Sequence, residues 1–118
     1  MRSIAVYGLK KCSTCIKAMA WLEANGMPFA FTDYRDNPIA PAVLADWADE
    51  LGGWEKLVNR ASMTWRNLPA ERKAPQTAQD WLALIAEFPA LIRRPVMVDA
   101  DGQVSVGFSE KKYSAIFA

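Results

Sequence analysis

Two cysteines are the only ones in this chain, and they stand three apart in Tyr7-Gly8-Leu9-Lys10-Lys11-Cys12-Ser13-Thr14-Cys15. A short apolar run precedes them and a helical pattern follows, which places Cys12 where a strand turns into a helix. A thiol at such a junction faces unpaired backbone N–H groups and the positive end of the helix dipole. Both favour the thiolate, the form that attacks sulfur, arsenic or carbon centres. Lys10 and Lys11 add positive charge beside it. Cys12 is therefore the candidate nucleophile. Cys15 has two readings: a resolving thiol that closes a disulfide with Cys12, or a small apolar residue on the inner face of the helix.

The chain contains no histidine, which removes the commonest metal ligand and the usual acid–base group. Two thiols without imidazole fall short of the four ligands of a structural zinc, so no metal is expected. The five tryptophans, Trp21, Trp47, Trp54, Trp65 and Trp81, could make a stacking platform for bases or sugars. A net charge of +1 and the helical spacing of Trp47 and Trp81 favour core packing instead.

The elements that must position Cys12 are legible in outline. Ile4-Ala5-Val6-Tyr7 reads as a buried strand stopped by Gly8. From Ser13 to Asn25, Cys15, Ala18, Met19 and Leu22 recur on one helical face, and Asn25-Gly26 closes the helix. Pro28 to Tyr34 reads as a second strand. Helices follow: one after Pro41 carrying Val43, Leu44, Trp47 and Leu51 and ended by Gly52-Gly53, and short turns at Trp54–Val58 and Ser62–Trp65. Thr77 to Asp80 resembles a helix-capping start, with Trp81, Leu84, Ile85 and Phe88 on the face behind it. Val96–Val98 and Val104–Val106 flank an Asp-Gly turn, and Ser109 caps a last helix with Tyr113, Ile116 and Phe117.

The order β-α-β, helices, β-β-α is that of an α/β, thioredoxin-like fold: a mixed four-stranded sheet with a helical insertion between strands 2 and 3. In that fold the proline opening the third strand follows a cis peptide bond, and Pro95 stands there. With 118 residues, 52% hydrophobic and 23% charged, residues 1–118 are expected to form a single globular domain. The near-neutral charge offers no field for nucleic acid, and no run is long enough for a signal-peptide core or a membrane span. A reducing, cytoplasmic setting is expected.

Three segments, the Cys12 turn, Leu57-Val58-Asn59-Arg60-Ala61-Ser62-Met63-Thr64-Trp65-Arg66 and Ile92-Arg93-Arg94-Pro95-Val96, together resemble the arsenate reductase (ArsC)/Spx superfamily, most closely its YffB-like branch. Gly107-Phe108-Ser109-Glu110 fits as well. The resemblance implies Cys12 as nucleophile with Arg60 and Arg94 beside it, and no bound metal or organic cofactor. Lys11, next to Cys12, and Pro95, at the start of the third strand, are expected about the substrate with them. It also implies a thiol-dependent reductase with glutathione as co-substrate, or glutaredoxin as partner. The Spx side of the family implies an alternative, a redox-switched regulator that binds the RNA polymerase α subunit. One departure bears on substrate: arsenate reductases of this family use a third arginine near the position of Gly107-Phe108. Losing one of three charge-assisted contacts weakens oxyanion binding by about 1.5–3 kcal/mol, which disfavours arsenate as the physiological substrate.

Overall fold

In the computed structural model, which describes residues 4–118, the first apolar run is strand β1 (Ile4–Gly8), with Ile4, Val6 and Gly8 buried in alternation. Helix α1 (Ser13–Ala24) crosses over and returns the chain to β2 (Phe29–Asp33), which pairs with β1 in parallel, Ile4 opposite Phe29 and Gly8 opposite Asp33. A parallel pair needs such a crossover. β3 (Val96–Val98) lies antiparallel on the other side of β1, with Met97 opposite Val6, and β4 (Val104–Val106) pairs antiparallel with β3. The sheet order is β2-β1-β3-β4, the mixed four-stranded sheet of the thioredoxin-like expectation.

The chain divides into two compact units. One comprises the segment up to Asn37 together with Arg94–Ala118, and the other is Pro38–Arg93, the insertion between β2 and β3. The sheet unit is filled by Ile4, Val6, Ala18, Leu22, Met97 and Tyr113. The six Cβ positions come from both strands and helices because α1 turns Cys15, Ala18 and Leu22 inward at helical spacing. The last helix, which follows Ser109, spans Glu110–Ile116 and drives Tyr113 edge-on against Phe108, their ring centroids 4.7 Å apart.

The insertion unit consists of α2 (Pro41–Leu51), α3 (Trp54–Leu57), α4 (Met63–Arg66), a 3₁₀ turn over Ala70–Lys73, α5 (Ala78–Glu87) and a second 3₁₀ turn over Pro89–Leu91. The helix after Glu110 is α6 in this count. Gly52 and Gly53 end α2 with φ of 97° and 143°, values that favour glycine. Trp81 stacks between Trp54 and Trp65, at 6.4 and 5.9 Å between centroids, while Trp47, Trp65 and Trp81 are buried. These rings pack the unit's interior rather than forming an open platform.

Some boundaries differ from the sequence expectation. Pro28 and Tyr34 flank β2 rather than belonging to it, and Phe88 is the C-terminal cap of α5 rather than part of its face. The 3₁₀ turns carry no apolar period, so hydrophobic spacing had no signal for them. The β3–β4 turn is a three-residue loop in which Asp99 Oδ1 accepts N–H bonds from Asp101 and Gln103, both at 2.9 Å. Only Gly102, at φ 87°, is left-handed there, the arrangement of a type I turn closed by a glycine bulge. Among the described residues no helix is long and apolar enough to cross a membrane.

Candidate active site

β1 ends at Gly8, and the turn Leu9–Lys11 delivers Cys12 to the N-cap of α1. The turn is closed by Cys12 N–H donating to the Leu9 carbonyl at 3.1 Å, and the helix begins with Ile16 N–H donating to the Cys12 carbonyl at 3.0 Å. Cys12 has extended backbone angles, φ −82° and ψ 120°, and α1 has no acidic residue in its first turn. Its sulfur makes no formed side-chain cap hydrogen bond, so the N–H groups of the first turn act on it as an oriented field.

The Cys12 thiol is half-buried, and that desolvation pushes its pKa up. The N–H of Cys15, the thiol of Cys15, the N–H of Thr14 and the charge of Arg94 together outweigh burial and leave it below the ordinary thiol value. Cys15 is the opposite case. It is fully buried on the inner face of α1, and burial first, then the neighbouring Cys12, raise its pKa to about 11 against a pull from the Leu9 backbone. Both cysteines are free thiols. The two sulfurs of one Cys-x-x-Cys are thus held in opposite protonation tendencies, with Cys15 the donor and Cys12 the acceptor.

Cys12 opens on a groove of about 670 Å³ whose walls include Lys10, Lys11, Asp33, Arg35 and Arg94. Asp33, buried at the end of β2, accepts N–H bonds from Lys10 at 2.9 Å and Arg35 at 2.8 Å. The Lys10 N–H bond first of all, and then the Arg35 N–H against desolvation, hold this carboxyl below its usual range. It locks the turn that carries Cys12 to the end of β2. Lys10 Nζ is paired with Asp36 at 2.8 Å, an exposed ion pair that contributes little on its own. Lys11 is exposed on the wall of the groove.

Arg94 is half-buried and immediately precedes Pro95, with the Arg94–Pro95 peptide cis as the fold reading required. The Pro95 carbonyl accepts the N–H of Gly107 at 3.0 Å. Gly107 has φ 76°, and Phe108 packs edge-on against Tyr113. Lys112 Nζ donates to the Val106 carbonyl beside them. Of the residues expected at the site, Lys11, Cys12 and Arg94 line one groove, and Cys15 and Pro95 are fully buried. Arg60 belongs to the insertion unit, exposed in a turn fixed by Asn59 Oδ1 accepting Ala61 N–H and by Ser62 Oγ donating to the Asn59 carbonyl.

Sequence reasoning missed Asp33, Arg35 and Gly8. An acidic residue ending a strand carries no motif, but Asp33 three residues before a further carboxylate, Asp36, is a visible cue. Gly8 was read only as a strand stop. A Cβ on it would collide with Cys15 Sγ, so the glycine lets the buried thiol lie against the strand.

The family model for ArsC matches residues 7–116. An uncharacterized protein of Haemophilus influenzae is 40% identical over 115 residues, covering 98% of this chain and 99% of that protein. The global transcriptional regulator Spx of Enterococcus faecalis is 31% identical over 111 residues, which span 91% of this chain and 80% of the regulator. Among solved structures, the YFFB protein superposes with a TM-score of 0.87 at 34% identity, covering 98% of this chain and all of that one. With a family match across nearly its whole length and relatives of both kinds, the chain belongs to the ArsC family, within the superfamily that also holds the Spx regulators.

Proposed function

We propose that the protein is a thiol-dependent reductase of a reducing cytoplasm, acting through Cys12 and coupled to glutathione or glutaredoxin. The observation that carries this reading is the pairing of opposed thiols: Cys12, pulled below the ordinary thiol range, in a groove lined by Lys10, Lys11, Arg35 and Arg94, with the buried, protonated Cys15 donating to it. The Cys12 thiolate attacks one sulfur of a disulfide substrate. A Cys12–substrate disulfide forms, the substrate S–S bond breaks, and the departing thiolate takes a proton from solvent. A glutathione thiolate then attacks the Cys12 sulfur of the adduct, the second half of the substrate leaves reduced, and Cys12 is left joined to glutathione. A second glutathione thiolate attacks the glutathione sulfur of that mixed disulfide, so that oxidised glutathione departs and the Cys12 thiolate is restored. Glutathione supplies both electrons over the full cycle, so the chemistry needs no metal or bound organic cofactor. Arg94 and Lys11 face the groove as partners for carboxylates of the substrate or of glutathione.

Cys15 supports Cys12 chiefly as a hydrogen-bond donor. With a pKa near 11, its thiolate fraction at pH 7 is about one in ten thousand. Adduct formation neutralises Cys12 and removes its upward push on Cys15, but burial persists. In this reading external glutathione, not Cys15, is the resolving thiol.

Intact mass spectra after exposure to oxidised glutathione test the reading. The parent and Cys15→Ser should gain one glutathione at Cys12, Cys12→Ser none, and reduced glutathione should clear the adduct. A parent left unmodified under conditions that oxidise a free cysteine peptide would sink the reductase reading. Similarity to Spx along 91% of the chain favours a second reading, a redox-switched regulator binding the RNA polymerase α subunit. In that case oxidised protein would hold a Cys12–Cys15 disulfide, and specific capture by the α subunit would depend on it.

A further inference from the structure

Tyr34 is 1% exposed, follows β2 directly, and lies outside the apolar cluster that fills the sheet unit. Its backbone is pinned: the N–H donates to the Gly8 carbonyl at 3.1 Å, fixing the residue to the end of β1 where the groove opens. The Arg94 side chain comes within hydrogen-bonding reach of its phenol, and Cys12 and Cys15 are near enough for their charge to act on it. Arg94 in turn lines the groove with Cys12 and depresses its pKa. The chain of contact runs from the end of β1 through a buried ring to a guanidinium and then to the nucleophile.

We propose that Tyr34 is a positioning residue: its phenol oxygen accepts an N–H bond from Arg94 and fixes the guanidinium beside Cys12. Guanidinium carries five N–H donors, so one given to Tyr34 leaves four for the thiolate and an anionic group of the substrate. A long arginine otherwise samples many rotamers, and a cation that wanders stabilises a nearby thiolate only part of the time. Burial pushes the Tyr34 hydroxyl above its ordinary value, so the ring stays neutral and never competes with Cys12 as an anion. This inference rests on the reading of Cys12 as the nucleophile.

The test is the rate of iodoacetamide alkylation at Cys12 against pH, followed by intact mass, in the parent and in Tyr34→Phe. The other charged and titratable groups facing the groove, Lys10, Lys11, Asp33, Arg35, Asp36 and the thiol of Cys15, are unchanged by this substitution. The variant should alkylate about threefold more slowly at pH 7, with its midpoint moved up, and converge with the parent above about pH 10. A double variant with Arg94→Gln should react no more slowly than Arg94→Gln alone. Superimposed profiles for parent and Tyr34→Phe overturn the positioning role while leaving Cys12 as nucleophile. A parent that does not alkylate overturns the reading of the site itself, and this inference with it. If Tyr34→Phe fails to fold, the reciprocal measurement decides. In protein carrying 13Cζ-labelled tyrosine, Arg94→Gln should shift the Tyr34 resonance, and an unmoved resonance overturns the contact.

Discussion

Helices α1 and α5 begin in opposite ways. At α5 the cap is closed: Thr77 Oγ1 accepts the Asp80 N–H at 3.1 Å, and Asp80 Oδ2 accepts the N–H of Gln76 at 3.0 Å and of Thr77 at 3.2 Å. Every donor that a capping box can satisfy is taken. At α1 the N-cap is Cys12, no side-chain cap is formed, and no carboxylate stands in the first turn. The field of α1 is therefore left for an anion, and among the described residues the Cys12 thiolate is placed to use it. A closed cap stabilises a helix, whereas an open cap with a thiol in it gives up that stability for reactivity.

Cys12→Ser breaks the comparison most sharply, because it turns an open cap into a good one. The hydroxyl has no accessible anion at neutral pH, so adduct formation with oxidised glutathione should fall below detection. Serine at an N-cap should at the same time stabilise the protein by about 1 kcal/mol. Mass spectrometry and urea denaturation followed by tryptophan fluorescence read the two effects. A variant both inactive and less stable would mean that Cys12 is a packing residue.

Gly8→Ala attacks the same site from the strand side. The new Cβ meets Cys15 Sγ, so either the thiol moves or the strand does. Overpacking of this kind costs about 1–3 kcal/mol. Displacing Cys15 also removes its thiol from Cys12, and the alkylation midpoint of Cys12 should rise. Burial holds the Cys15 pKa near 11 in the folded protein, above its value of 9.0 in the open chain. A group raised in this way contributes stability that is full below pH 9 and is lost as pH rises toward 11. Gly8→Ala, by loosening the burial of Cys15, should make that alkaline loss shallower, a trend visible in urea midpoints between pH 8 and 11.

Much of this arrangement was legible from the chain. The strand, the Cys-x-x-Cys and the helical stripe of Cys15, Ala18 and Leu22 fixed the Cys12 turn because each is a local pattern with a short period. The Thr77–Asp80 box was legible for the same reason. The opposed pKa directions of Cys12 and Cys15 were only half visible: an N-cap position predicts a low pKa, but the depth of Cys15 depends on its fit against Gly8. Asp33 and Arg35, which line the groove, and the buried Tyr34 escape sequence reasoning because pairing of β2 with β1 brings them to the end of β1, a long-range contact that no local spacing records. Hydrophobicity extends β2 to Pro28 and Tyr34 because it does not mark where the ladder of hydrogen bonds stops.

The mildest changes belong to the closed cap. Thr77→Ala should lower stability by about 1 kcal/mol and leave the alkylation midpoint of Cys12 unmoved, since the influence of a helix end fades within a turn. Asp80→Asn is gentler and shows itself only in acid. The N–H of Gln76 and then of Thr77 hold the Asp80 carboxyl below its ordinary range. A depressed carboxyl contributes stability that is present above its open-chain pKa of about 4 and lost as pH falls through the folded value. The parent should therefore weaken below about pH 4, and Asp80→Asn should flatten part of that slope, with Asp33 keeping its own share. Urea midpoints at pH 7 and pH 3 separate the contributions. If Thr77→Ala shifts the Cys12 midpoint, the two helix starts are not the independent devices described, and the reactivity of Cys12 draws on more of the molecule than its own turn.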